Sequence, residues 1–385
     1  MKNQPMDLKK NPMYLYLMVL VIASTGGLHV WRTLFDNFAV NVIHLDGEHV
    51  GVLQSVREIP GFLSLLVVYV LLIFKEHRLS ALSVIIMGVG VAATGIYPSF
   101  YGLMLTTLVM SFGFHYFETT NQSMTLQYFD TLTAPLVFGR LRSLAAVSNI
   151  VAGTFVFVLA PLLSYAQIYL VCGAVIIGAG CWALTRNPTD KELTVQRKDM
   201  VFKRKYWLFY ALTFMAGARR QIFIAFAVFL LVKKFQFSIQ EIAVLFFVNN
   251  VVNYFLSPFI GRCIVRFGER RVLSLEYFSL ILVFLAYAVV DSKWVVAILY
   301  IFDHIFFNFA IAIRTFFQKI SDPEDIAPSM AVGFTINHIA AVVLPVIGGM
   351  LWIVDYRIPF IGGAAMSFVS LVLVQQITSQ LKQHS

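Results

Sequence analysis

Apolar runs of about 20 residues or more recur along the whole chain, and no other feature restricts its fold as strongly. A run of that length spans roughly 30 Å of hydrocarbon. Inside lipid each backbone N–H and C=O must be satisfied within its own segment, so single runs of this kind cross as helices. Twelve spans are expected, at 12–42, 48–73, 79–97, 99–127, 136–161, 163–185, 205–232, 239–265, 271–290, 293–318, 328–353 and 357–377. The breaks between them are short, with one exception. RNPTDKELTVQRKDMVFKRK separates spans 6 and 7 and divides the chain almost in half. The reading is an all-α polytopic membrane protein: a six-helix bundle over 1–185, a cytoplasmic linker over 186–204 and a second six-helix bundle over 205–385.

Composition excludes the soluble classes. Hydrophobic residues make up 59% of the chain and charged residues 13%, against about 45–50% and about 25% in soluble domains. Lys9 and Lys10 ahead of an apolar run resemble a secretory signal, but the run continues to Val42 and more spans follow, so an uncleaved first helix is expected. Cys172, Cys181 and Cys263 lie in apolar segments without metal-ligand or disulfide spacing.

The net charge of +9 is an orientation signal rather than a nucleic-acid footprint. Twenty Lys and Arg residues fall on the side of the termini and the central linker, and four (Lys233, Lys234, Lys293 and Arg357) on the other. Basic residues stay cytoplasmic, which places both termini and the linker there. Five arginines remain inside spans: Arg32, Arg57, Arg219, Arg220 and Arg314.

The two halves align with each other. Residues 31–35 (WRTLF) match 219–223 (RRQIF), and Phe38-Ala39-Val40 recurs at 226–228, both at an offset of 188. Later matches drift to offsets of 192 and 193, as an old duplication with loop changes leaves them. Six plus six spans joined by one linker is a transporter architecture with its site near the midplane. Between spans 8 and 9 the sequence GRCIVRFGERRVL carries Gly261, Arg266, Gly268, Arg270 and Arg271. This resembles the loop signature G-x-x-x-D-R-x-G-R-R of the major facilitator superfamily, with Val265 in place of the acid and Glu269 in place of a base. PVIGGMLW at 345–352 resembles the Gly-rich span 11 of many members. The resemblance implies the superfamily fold, with spans 1, 4, 7 and 10 lining a central cavity and spans 2, 5, 8 and 11 flanking and gating it.

A charge near the bilayer centre costs at least about 2.5–3.5 kcal/mol, so it meets a cavity or a partner. On the helices that the resemblance places at the cavity, the candidate substrate-binding residues are Arg32, Asp36, His115, Arg220, Asn249, Asp303, His304, Asn337 and His338. Arg32 and Asp36 are spaced i, i+4, which also suits an ion pair within the helix. Glu118, with no basic neighbour at i±4 and only His115 at i−3, suits a proton carrier, since a carboxyl in low dielectric has its proton affinity raised toward neutral pH. Gating or interhelix roles fall to Arg57, Glu58, Arg219, Arg314, Gly261, Arg266, Gly268 and Arg270. Arg57 and Glu58 are adjacent and diverge by about 100° on a helix, so one is expected to pair with span 11 while the other meets the cavity. Spans 3, 6, 9 and 12 are nearly free of such groups, with Glu276 near the cytoplasmic end of span 9.

Five membrane arginines against Asp36, Glu58, Glu118 and Asp303 favour an anionic or amphipathic solute, because a guanidinium donates in pairs to carboxylate or phosphate. The expected function is secondary active transport of a small organic solute, coupled to protons, by a monomer in a bacterial inner membrane. No cofactor, metal or nucleic acid is called for, and no G-x-x-x-x-G-K-[ST] loop occurs. Two alternatives stand beside it: a proton-driven exporter of lipophilic or cationic compounds using Glu118 and Asp36, and a membrane-embedded transferase using His115, Asp303 and His304.

Overall fold

The computed structural model describes residues 8–45, 47–189, 196–197, 199–237 and 239–384. Among them there is no strand. Twelve long helices follow the expected spans: α1 (Pro12–Asn41), α2 (Gly47–Phe62, continued by a 3-10 turn and Val67–Val70), α3 (Glu76–Thr94), α4 (Phe100–Tyr128), α5 (Ala134–Leu159) and α6 (Tyr165–Leu184) in the first half. The second half holds α7 (Trp207–Lys233), α8 (Ile239–Phe267), α9 (Glu269–Val289), α10 (Lys293–Ile320), α11 (Ile326–Val354) and α12 (Arg357–Val374), then a short α13 (Ile377–His384). Ten of the helices are long and apolar enough to cross a membrane among the described residues. Of the other two, α7 is interrupted by a π-helical stretch at Phe223–Ala227, which leaves its longest regular piece at 16 residues. α11 is 29 residues long, but the side chains at 342, 343, 345 and 346 lie outside the described set. α10 is also irregular, with a 3-10 turn at Asn308–Ala310.

Local chemistry sets several helix ends. Asn11 accepts from the Tyr14 N–H at 2.9 Å, and Pro12 follows it as the first helical residue, where its missing N–H costs nothing. Ser164 and Gln167 form a reciprocal capping box at the start of α6. Gly268 alone joins α8 to α9 at φ +79°, a conformation that a side chain would strain.

The chain forms two compact units, residues 1–128 with 144–200 and residues 129–143 with 201–385. In the first, α3, α4 and α6 approach so closely that side chains have no room at their contacts. A Cβ on Gly90 of α3 would lie 2.4 Å from the Met110 nitrogen, and one on Gly113 of α4 would lie 2.3 Å from the Met87 nitrogen. Small residues at such crossings let backbones meet, and packing is what drives helix association in lipid. α1 is tied to α3 by Tyr16, whose hydroxyl donates to the His77 carbonyl at 2.5 Å. Trp31, Phe35 and Phe38 are buried along the same helix.

The second unit has an aromatic core. Phe226 stacks on Trp352 at 5.7 Å, Tyr287 on Phe360 at 5.1 Å and Phe223 on Tyr300 at 5.1 Å. The stretch 129–143, with the first ten residues of α5, groups with this unit and not with the rest of the first half. The cause is a glycine crossing. A Cβ on Gly139 would come within 2.5 Å of the Ser257 carbonyl, and one on Gly261 within 2.5 Å of the Pro135 carbonyl. Ser143 donates to the Tyr254 carbonyl at 2.7 Å, and Gln318 to that of Phe129 at 2.6 Å.

Ion pairs hold both ends of this unit. At one end the last linker residues dock: Lys203 lies 2.5 Å from Asp325 and Lys205 2.5 Å from Asp322. Tyr206 donates to Asp325 at 2.7 Å. The hydrogen bond from Lys205, reinforced by Lys203, pulls the Asp322 carboxyl down from 3.8 to about 2. Glu269, almost fully buried, pairs with Lys319 at 2.7 Å. At the other end Lys234 bridges Asp291 at 2.9 Å and donates to the Tyr356 hydroxyl at 2.7 Å, and Lys293 pairs with Glu241.

Candidate functional site

In the first unit the candidates separate into exposed and internal groups. Arg32 is exposed on α1, one helical turn from the half-buried His29. The side chain of Asp36 lies outside the described residues, so its expected pairing with Arg32 is not described either. His115 is buried on α4. Glu118, three residues on, is half-buried rather than sealed in low dielectric, and its carboxylate faces the Gln122 amide one turn away at 3.4 Å. Arg57 and Glu58 correct the expectation that they part company. Their side chains pair with each other at 2.7 Å, because the long guanidinium stem folds across the angle between the two Cα–Cβ bonds. The Ser111 hydroxyl donates to the Arg57 carbonyl and ties α4 to α2.

In the second unit Arg219 and Arg220, adjacent on α7, have opposite fates. Arg219 is completely buried. It reaches Glu276 of α9 at 3.7 Å, donates to Ser370 of α12 and stacks over the Tyr277 ring at 4.4 Å. Glu276, expected near the cytoplasmic end of span 9, is thus a fully buried partner of Arg219. Asp303 of α10 is equally buried, within the field of Arg219. Full burial removes it from the surface where a solute-binding residue was expected. The reason is helical phase: Asp303 faces the α9 side of α10, and its neighbour His304 is turned about 100° away.

Arg220 is exposed, and among the described residues no carboxylate pairs with it. His304 is half-buried and lies beside Phe223, with ring centroids 6.2 Å apart. Both Arg220 and Arg142 are near enough for their charges to act on the imidazole. A polar chain leads to it from α5: Arg142 Nε to Asn308 Oδ1 at 2.6 Å, Asn308 Nδ2 to Asn253 Oδ1 at 2.6 Å, and Asn253 Nδ2 to His304 Nε2 at 2.8 Å. Asn249, one turn before Asn253 on α8, is buried. On α11, Asn337 donates weakly to the Thr213 carbonyl at 3.5 Å. His338 donates from Nδ1 to the Phe334 carbonyl at 2.8 Å while stacking on the Phe334 ring.

The loop-signature residues take structural places. Gly261 is the glycine at the α5–α8 crossing, and Gly268 is the turn between α8 and α9. Arg266 and Arg270 are exposed, with Arg266 over the Phe267 ring at 5.4 Å. Arg314 lies over the Phe138 ring at 5.7 Å.

Three residues of the polar chain, Arg142, Asn253 and Asn308, and the acid Glu276 escaped a functional assignment from sequence. The signal that marks them is an Asn or acid on a helix face opposite a basic residue more than 50 positions away, which only the folded contacts reveal.

Among curated proteins none matches the sequence significantly. Solved structures match over nearly the whole chain. FucP, the fucose:proton symporter of E. coli, has a TM-score of 0.78 at 11% identity, covering 95% of this chain and 98% of that one. A bacterial homologue of the iron transporter ferroportin has a TM-score of 0.79 at 12% identity, covering 95% and 99%. The human organic anion transporter MFSD10 has a TM-score of 0.73 at 12% identity, covering 97% and 100%. At such identities the likeness is one of fold. The sequence itself matches the family model described as Major Facilitator Superfamily over residues 14–302 and 209–378. With that match running through both halves, the chain belongs to the Major Facilitator Superfamily, a family of membrane transporters.

Proposed function

We propose that the protein carries a small organic anion, or an amphipathic solute with an anionic head, across a bacterial inner membrane by alternating access. It works as a monomer with cytoplasmic termini. The observation that carries this reading is Arg220, an exposed guanidinium on a membrane helix with no carboxylate partner among the described residues. An unneutralised charge at membrane depth is costly unless a cavity or a counter-ion serves it. A transported carboxylate or phosphate would serve as that counter-ion, bound through the paired donors of the guanidinium. Arg219, by contrast, is consumed by its buried acids, which leaves Arg220 as the α7 residue open to a solute. A cation exporter would present an acid at this place.

Coupling to protons is assigned to Glu118, which is half-buried on α4 and contacted by an amide rather than a base.

The test is thermal stabilisation of the purified protein by a panel of organic anions and a matched panel of organic cations. Anions are expected to stabilise the wild type and to lose their effect in Arg220→Ala. Stabilisation by cations alone, unchanged in Arg220→Ala, would sink the anion reading. For coupling, Glu118→Gln is expected to remove the pH dependence of uptake into proteoliposomes. Unchanged rate and pH profile would remove Glu118 from that role.

A further inference from the structure

We infer that a directional chain of hydrogen bonds from Arg142 through Asn308 and Asn253 holds His304 as the neutral tautomer protonated on Nδ1, so that its imidazole offers a solute one N–H donor and no acceptor.

The argument uses only which groups can donate. Arginine has no acceptor, so the Asn308 side-chain atom 2.6 Å from Arg142 Nε is the carbonyl oxygen. The other end of that amide is therefore NH₂. A second contact agrees independently: the same nitrogen lies 2.9 Å from the main-chain carbonyl of His304, which can only accept. Two anchors thus fix the orientation of Asn308, an orientation that distances alone would leave ambiguous. Its NH₂ stands 2.6 Å from Asn253, whose near atom must then be the oxygen. The Asn253 NH₂ is left to face His304 Nε2 at 2.8 Å. Two donors do not meet at that distance, so Nε2 carries no hydrogen and the neutral ring carries it on Nδ1. Asn253 and Asn308 are both buried, at 7% and 2% exposure, which keeps water from scrambling the polarity.

The free end of the ring follows. Among the described residues no group bonds Nδ1, and the residue is half-buried. It offers a hydrogen to a lone pair: a carboxylate, carbonyl or hydroxyl oxygen of the solute. A protonated amine finds nothing to bind there. Arg220, itself donor-only, lies near the same ring, so the two residues make matched demands on one solute. Arg142 and the two asparagines act as positioning residues, setting the tautomer without touching the solute. The solute part of this inference rests on the anion reading above; the tautomer stands without it.

The test is ¹⁵N spectroscopy of the full chain in nanodiscs with labelled histidine, the His304 signals being assigned by their loss in His304→Asn. At neutral pH the wild type is expected to carry hydrogen on Nδ1 with Nε2 bare. Asn253→Asp keeps an acceptor for Asn308 but turns an acceptor toward His304, and should move the ring hydrogen to Nε2. A wild-type ring with hydrogen on Nε2 or on both nitrogens overturns the inference, as does an unchanged ring in Asn253→Asp. Should that variant fail to fold, the wild-type spectrum decides alone. The solute part is read with benzoate as the probe. His304→Asn, whose amide nitrogen takes about the place of Nδ1, should retain benzoate stabilisation, and His304→Phe should weaken it about tenfold, the worth of one good hydrogen bond. Equal loss in both variants overturns the donor role. Absence of any stabilisation by benzoate in the wild type, with hydrogen found on Nδ1, places the failure in the anion reading and leaves the tautomer upheld.

Discussion

Replacing Arg219 should be far more damaging than replacing either acid beside it. The guanidinium is fully buried 3.7 Å from Glu276, also fully buried, and its field reaches Asp303, buried to the same degree. One cation therefore serves two interior acids. Arg219→Met strands both, and loss of one partner from a buried pair costs about 3–5 kcal/mol. Glu276→Gln instead keeps an amide beside Arg219 and leaves Asp303 within its field, a change of about 1–3 kcal/mol. For a unit of about 200 residues, 1 kcal/mol corresponds to roughly 2–4 °C in thermal midpoint. Arg219→Met should thus fall by about 6–20 °C and Glu276→Gln by about 2–12 °C, read by intrinsic fluorescence in detergent. Adding Glu276→Leu and Asp303→Leu to Arg219→Met should recover much of the loss, since apolar replacement of a whole buried ionic group is often neutral or better. The reasoning fails if Arg219→Met stays within about 1 kcal/mol of the wild type, or if Glu276→Gln proves the costlier change.

Three further outcomes follow from the packing and the ion pairs. Gly90→Leu, whose Cβ would meet the Met110 backbone at 2.4 Å, should lower the thermal midpoint or abolish monodisperse protein in size-exclusion chromatography, by about 1–3 kcal/mol or more. Gly178→Ala, with nothing within 4 Å, should leave both readouts unchanged. Lys319→Met removes the partner of Glu269, whose side chain is 2% exposed, and should cost about 1–3 kcal/mol in the same thermal assay, with Lys319→Arg restoring it. Asp322 has its proton affinity lowered in the folded protein, so its contribution is complete above the ordinary value of 3.8 and is lost as pH falls through about 2. The midpoint difference between the wild type and Asp322→Asn should therefore be constant from pH 7 to about 4 and vanish toward pH 2. It should stay small throughout, below about 1 kcal/mol, because the carboxylate is partly exposed.

Helix positions were legible because a membrane span is a one-dimensional property: about 20 apolar residues mark it wherever it packs. α1, expected at 12–42, is found at Pro12–Asn41, and α9, expected at 271–290, at Glu269–Val289. Pairings were not legible, because they depend on rotation about each helix axis and on which helices touch. Arg219 meets Glu276 across 57 positions, and Arg142 meets Asn308 across 166. Nothing in a hydropathy pattern carries that information. Adjacent residues misled for a related reason. Arg57 and Glu58 diverge at their Cα–Cβ bonds, yet a side chain as long as arginine's returns across the gap. Of two adjacent candidates on α10, Asp303 is fully buried and His304 half-buried, a difference that rotation about the helix axis sets.

The π-helical stretch in α7 limits how far one half of the chain can stand in for the other. Counted along the sequence, 31–35 and 38–40 correspond to 219–223 and 226–228 with one constant offset. α1 is regular through that segment, whereas α7 widens at Phe223–Ala227. A wide turn takes up about one more residue for the same rotation, so everything after it lags by roughly 100°. Arg220 precedes the widening and can inherit its direction from Arg32. Residues beyond Ala227 cannot: they match their counterparts in number while looking a different way. The two halves therefore agree in phase along only part of a shared helix, and the far end of α7 presents a face that the first half never displayed.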